Sequence, residues 1–157
     1  MSSNAVGRPM EILLVEDSLT SARVTIGALK RGGVQHRLTW LTDGAEAIEF
    51  LDRRGKFARA PRPDLILLDL NLPRTDGREV LATIKSDERL GHIPVIVLTS
   101  SNAERDLQQA YRLHANCVLT KPSDVEQFFA MFELLERFWL QLVKLPPHAS
   151  ARVTERP

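Results

Sequence analysis

The sequence predicts an α/β fold built on one parallel sheet, and three observations predict it. Short apolar runs recur along the chain, separated by amphipathic segments, which is the pattern of βαβ units. The runs are continuous rather than alternating, as in strands buried on both faces of a parallel sheet. Several end on an acid, a hydroxyl or a lysine, and open α/β sheets bind ligands beyond the carboxyl ends of their strands.

The strands fall at Glu11–Val15, His36–Leu41, Leu65–Leu68, Val95–Leu98 and Cys117–Leu119. Ser18 is positioned to cap the first helix, and Gly32-Gly33 ends it, because glycine tolerates the left-handed conformation. Asp43 with Glu46, Asp76 with Glu79, Ser101 with Glu104 and Ser123 with Glu126 have the spacing of capping boxes and open the next four helices. Arg59 to Pro63, with two prolines, reads as the loop before the central strand. Residues 1–9 read as a flexible lead, 10–145 as the folded unit and Pro146 to Pro157 as an irregular tail.

Composition narrows the function. The 157 residues fit one domain with room for a two-sided core. Net charge is +1 with acids and bases interspersed, which gives no electrostatic case for nucleic-acid binding. A lone cysteine, Cys117, excludes an internal disulfide and fits a reducing compartment. No apolar stretch is long enough to span a membrane, and residues 1–9 lack the apolar core of a signal peptide. A cytoplasmic protein is expected.

The residues at the strand ends carry the chemistry. Glu16 and Asp17 follow the first strand, and Asp69 follows the most apolar one. Crowded carboxylates repel when empty, so a hard cation such as Mg²⁺ stabilises them. A carboxylate also attacks phosphorus to form an aspartyl-phosphate, and Asp69 is the best placed for it. Thr99 supplies a hydroxyl and Lys121 a compact ammonium for the oxygens of a phosphoryl group. The Lys121–Pro122 bond is a candidate for the cis form, which costs only about 0.5–1 kcal/mol before proline and would turn Lys121 inward. An acid pair after a strand is often only a helix cap, and a lone Thr or Lys there is usually structural. Four such features in order along one α/β pattern outweigh those readings.

With these residues in view, the chain resembles a response-regulator receiver domain of two-component signalling. The matching stretches are Val15-Glu16-Asp17-Ser18, Leu68-Asp69-Leu70-Asn71-Leu72-Pro73 with Asp76-Gly77, Leu98-Thr99-Ser100 and Thr120-Lys121-Pro122. The resemblance covers about residues 10–140. It implies a flavodoxin-like, doubly wound sheet of order 2-1-3-4-5 with helices on both faces. Asp69 would be the phosphoacceptor, fed by a phosphohistidine on a sensor histidine kinase. Asp17 and Asp69 would hold Mg²⁺ directly, Glu16 through water, and Asn71 by its backbone carbonyl. Thr99 would be the switch hydroxyl and Lys121 the phosphate-binding amine. Such a domain catalyses only its own phosphorylation and dephosphorylation. One departure stands out: Val118 occupies the position where receivers often carry Tyr or Phe, so the usual aromatic swing is absent.

The last helix is the other signal. Four of the six phenylalanines lie between Phe128 and Trp139. Phe128, Phe132, Leu135, Trp139 and Leu142 have the spacing of one helical face, widened by Met131, Leu134, Phe138 and Leu145. A stripe this wide is either core-facing or a homodimer seam, and the seam is the sharper expectation. The ending from Arg137 to Pro146 also resembles single-domain regulators paired with bacterial phytochrome kinases, whose last helix and extension support dimers. It implies a bacteriophytochrome as the kinase partner, with the C-terminal tail contributing to the dimer. No DNA-binding or enzymatic domain is expected after Leu145.

The leading expectation is therefore a stand-alone, Mg²⁺-dependent phosphoacceptor. The alternatives are a dimeric adaptor with a vestigial site, to which Val118 lends support, and a Mg²⁺-dependent phosphatase. Asn71 opposes the phosphatase, because hydrolases of that kind carry a second acid beside the nucleophile. A dinucleotide-binding protein is disfavoured, since no G-x-G-x-x-G follows the first strand.

Overall fold

The computed structural model describes residues 8–147. The elements alternate as expected: β1 Met10–Val15, α1 Leu19–Arg31, β2 His36–Leu41, α2 Gly44–Asp52, β3 Leu65–Asp69, α3 Gly77–Ser86, β4 Val95–Thr99, α4 Glu104–Arg112, β5 Cys117–Thr120 and α5 Val125–Leu135. A 3₁₀ turn at Gly55–Phe57 follows α2, and a π-helical segment, Glu136–Leu142, continues α5. The five strands pair in parallel in the order β2-β1-β3-β4-β5, the doubly wound order that the resemblance implied. Residues 1–7 and 148–157, most of the expected lead and tail, lie outside the described residues.

The strand side chains alternate between two cores. Leu13, Val15, Ile66, Leu68, Val95 and Val97 face Ala47, Phe50 and Leu51 of α2 and Val80, Leu81 and Ile84 of α3. Ile12, Leu14, Leu65, Leu67, Ile96 and Leu98 face Ala22, Ala28 and Leu29 of α1 and Phe128, Phe132 and Leu135 of α5. Every residue of β3 and β4 is buried, which is why these strands read as unbroken apolar runs. β3, β4 and β5 each run one residue past the expected end, to Asp69, Thr99 and Thr120. Backbone pairing continues where side-chain polarity changes, so Asp69 still pairs with Leu98 and Thr99 with Thr120.

Two helix starts differ from expectation. Ser18, Asp43 and Asp76 cap α1, α2 and α3 as read. α5 is capped by Asp124 rather than Ser123, through a bond from Glu126 N–H. α4 begins after Ala103 with no side-chain cap, because Ser101 is turned to other partners. Gly33, at φ 85°, takes the left-handed position after α1.

The last helix also departs from expectation. Phe128, Phe132 and Leu135 are in the core at 5%, 1% and 5% exposure, so they are not available to a seam. The π-helical segment then turns the register. Leu140 and the carboxylate-bearing Glu136 go inward, while Leu134, Phe138 and Leu142 face out at 67%, 53% and 73% exposure. Trp139, half-buried, packs edge to face on Phe138. Glu136 is accommodated because its carboxylate fills the place a side chain would take at Gly32. Among the described residues no helix is long and apolar enough to cross a membrane.

Candidate phosphoryl and metal site

Register brings the functional side chains together. Val15 pairs with Leu68, which puts Glu16 beside Asp69, the last residue of β3. Thr99 ends β4, and Lys121 follows β5, its N–H bonded to Thr99 O at 2.8 Å. α3 starts hard against the β3 end: Gly77 N–H donates to Leu70 O at 2.9 Å, and a Cβ at Gly77 would collide with the Asp69 carbonyl and Leu70. Only glycine allows that approach.

Glu16, Asp69 and Lys121 form the buried centre. Lys121 Nζ lies 2.6 Å from Glu16 Oε1 and 3.1 Å from Asp69 Oδ2, and its side chain is 7% exposed. Among the described residues there is no cis peptide. The Lys121–Pro122 bond is trans, contrary to the cis expectation, and Lys121 reaches inward without it. Asp69 Oδ1 accepts from Asn71 N–H at 3.0 Å, and Glu16 Oε2 accepts from Ser18 N–H at 3.1 Å. Burial pushes the Glu16 carboxyl up to about 7, helped by Asp69 and opposed by Lys121.

Carboxylate oxygens of Glu16, Asp17 and Asp69 all lie within 4.8 Å of one another, with Asp17 exposed at the mouth. Glu16 Oε1 is buried and faces the Lys121 ammonium at 2.6 Å. Three carboxylates converging on one opening, two of them buried, fit a hard divalent cation such as Mg²⁺. Asn71 is exposed beside the same opening. Thr99 is 3% exposed, and its Oγ1 accepts from Ser101 N–H at 3.1 Å rather than meeting Asp69 or Lys121. Val118 is half-buried against the α2–α3 core.

Two participants escaped the sequence reading. Ser21 Oγ, in the first turn of α1, accepts from Lys121 Nζ at 3.4 Å, a contact that no local spacing announces. Trp40 Nε1 donates to Glu16 O at 2.8 Å, across a strand pair that no local pattern announces.

The chain has clear relatives. The sequence profile of the response regulator receiver domain matches residues 12–133. Response regulator Rcp1 of Synechocystis sp. is 49% identical over 138 residues, 88% of this chain and 94% of that protein. The crystal structure of its Mn(2+)-bound form superposes with a TM-score of 0.86, covering 88% of this chain and 100% of the other. The phosphorylated cyanobacterial phytochrome response regulator RcpA superposes at 0.87 with 46% identity, over 89% of this chain and 100% of that one. The bacteriophytochrome response regulator AtBRR does so at 0.69 with 38% identity, over 87% and 99%.

Proposed function

The chain belongs to the response regulator receiver domain family, and from that premise we propose that Asp69 is its phosphoacceptor, served by Lys121, Thr99 and a Mg²⁺ held by Glu16, Asp17, Asp69 and the Asn71 carbonyl. The observation that carries this is the 3.1 Å contact of Lys121 Nζ with Asp69 Oδ2 inside the three-carboxylate group.

An Asp69 carboxylate oxygen attacks the phosphorus of a phosphohistidine on a sensor histidine kinase. The new P–O bond forms as the P–N bond breaks, and the electron pair stays on the imidazole nitrogen. Bound Mg²⁺ supplies positive charge to the phosphoryl oxygens. Lys121 adds the second cation, and its backbone position beside Thr99 keeps it there. The Thr99 hydroxyl turns to the phosphoryl group and carries the change to the β4–α4 loop. Hydrolysis of the acyl phosphate reverses the switch. The catalysis is confined to this chain's own aspartate.

The likeness to RcpA and AtBRR supports a phytochrome-type kinase as donor. The exposed row Leu134, Phe138 and Leu142, with Trp139 at its flank, supports a homodimer through the outward face of the last helix. The receiver unit in this reading spans 10–145.

The test is intact mass after incubation with Mg²⁺ and acetyl phosphate. Wild type gains one phosphate, and Asp69→Asn gains none. Equal phosphate uptake by Asp69→Asn would sink the assignment.

A further inference from the structure

α3 and α4 are held very differently. α3 buries Gly77, Val80, Leu81 and Ile84 and is bonded to the Asp69 strand through Leu70. α4 buries only Ala110, and its Leu107 and Tyr111 are 43% and 48% exposed. With so little apolar contact, polar links must place the start of α4.

Those links form one chain from the switch hydroxyl to α3. Ser101 N–H donates to Thr99 Oγ1 at 3.1 Å. The Ser101 hydroxyl donates to Asp106 Oδ2 at 2.7 Å and accepts from Ala103 N–H at 3.2 Å. Asp106 Oδ1 lies 3.2 Å from Arg78 Nη2, both side chains about three-quarters buried at 23% and 22% exposure. Arg78 is itself fixed at both edges, Nε to Gln109 Oε1 at 2.9 Å and Nη1 to Asp76 Oδ1 at 3.1 Å. Arg78 thus stands on the rigid helix and Asp106 on the loosely packed one.

Thr99 is engaged in this arrangement by the amide of a residue whose side chain is tied to Asp106. To reach a phosphoryl group on Asp69, its hydroxyl oxygen must leave Ser101 N–H, and the 99–101 turn must then shift against the Arg78–Asp106 pair. We propose that Arg78 and Asp106 are positioning residues that latch the β4–α4 loop, and Thr99 with it, in the resting arrangement. The inference rests on Asp69 being the phosphoacceptor. Any reduction in the resting population raises the competent fraction, and the phosphorylation rate with it.

The experiment compares wild type, Arg78→Gln, Asp106→Asn and the double variant. Phosphorylation by acetyl phosphate at saturating Mg²⁺ is followed by intact mass, Mg²⁺ affinity by calorimetry, and Ser101 amide exchange by NMR. Each single variant phosphorylates about threefold to tenfold faster, with faster Ser101 exchange and unchanged Mg²⁺ affinity. The double variant is no faster than the faster single one, because both changes open the same latch. A wild type that reacts beside variants that do not speed up, or whose Ser101 exchange does not change, overturns the latch alone. Single effects that multiply in the double variant also overturn it. A wild type that takes no phosphate overturns the Asp69 assignment, and the latch's role falls with it.

Discussion

The indole of Trp40, at the end of β2, donates to the main-chain carbonyl of Glu16 at 2.8 Å. The bond fixes the backbone from which the buried carboxylate projects, one residue past the end of β1. Trp40→Phe keeps an aromatic ring but removes the donor and trims the bicyclic indole. The expected cost is about 1 kcal/mol of stability, the usual consequence of an unmade buried hydrogen bond. Mg²⁺ affinity should fall as well, since outer-shell supports orient metal ligands. Urea unfolding and calorimetric titration measure the two, and an unchanged affinity would show that Glu16 is held without Trp40.

The raised Glu16 carboxyl makes metal binding depend on pH. Its ordinary value is 4.5, and burial with Asp69 nearby moves it to about 7. Below 7 the group carries a proton that Mg²⁺ must displace, so affinity falls toward tenfold per pH unit on acidification and levels off above 7. The stability sign is the reverse. The folded state binds this proton more tightly than the unfolded chain, so the contribution is full below 4.5 and is lost as pH rises to 7. Mg²⁺ restores part of that loss above 7. Glu16→Gln should flatten the affinity profile between pH 6 and 8, and a slope that persists in it would assign the proton to another group.

Much of this site was legible in the sequence because it follows from strand ends. Continuous apolar runs fix where β1, β3, β4 and β5 lie, and the first one or two polar residues after each land on the same edge. Asp69, Glu16, Asp17 and Lys121 therefore converge as the strand pattern required. Contacts that depend on side-chain reach between elements were not legible, such as Trp40 to Glu16 or Arg78 to Asp106. Capping spacing was ambiguous by a residue where Ser123 and Asp124 are adjacent and both can cap. The last helix misled for a different reason. Phe128, Phe132, Leu135, Trp139 and Leu142 fit one regular face, but the π-helical segment adds residues to the turn and sends Leu142 outward.

Gly32 and Glu136 should be coupled. The Glu136 carboxylate occupies the space of the missing Gly32 side chain, and its Oε2 is buried without a donor. Burial raises its pKa, against the pull of the Val34 N–H and His36. Gly32→Ala must displace Glu136 or the loop after α1, at about 1–3 kcal/mol, the usual scale of overpacking. Adding Glu136→Ala makes room, so the double variant should recover much of that loss in chemical denaturation. Additive losses would place the two residues in independent environments.

The two faces of the last helix predict opposite outcomes for two phenylalanines. Phe132 is 1% exposed and stacks on Phe128 at 5.7 Å, so Phe132→Ala should cost about 3–5 kcal/mol as a core cavity. Phe138 is 53% exposed and stacks edge to face on Trp139, so Phe138→Asp should cost the folded unit only about 1 kcal/mol. Its effect falls on association, because a charge in the Leu134–Phe138–Leu142 row must be desolvated in any seam formed there. Light scattering after size exclusion should give twice the chain mass for wild type and the chain mass for Phe138→Asp, while both still take one phosphate on Asp69. A wild type of single-chain mass before and after phosphorylation would remove the homodimer from the reading. Loss of phosphate uptake in Phe138→Asp would instead tie the outer face of the helix to the site itself, which the intervening core of Phe128, Phe132 and Leu135 argues against.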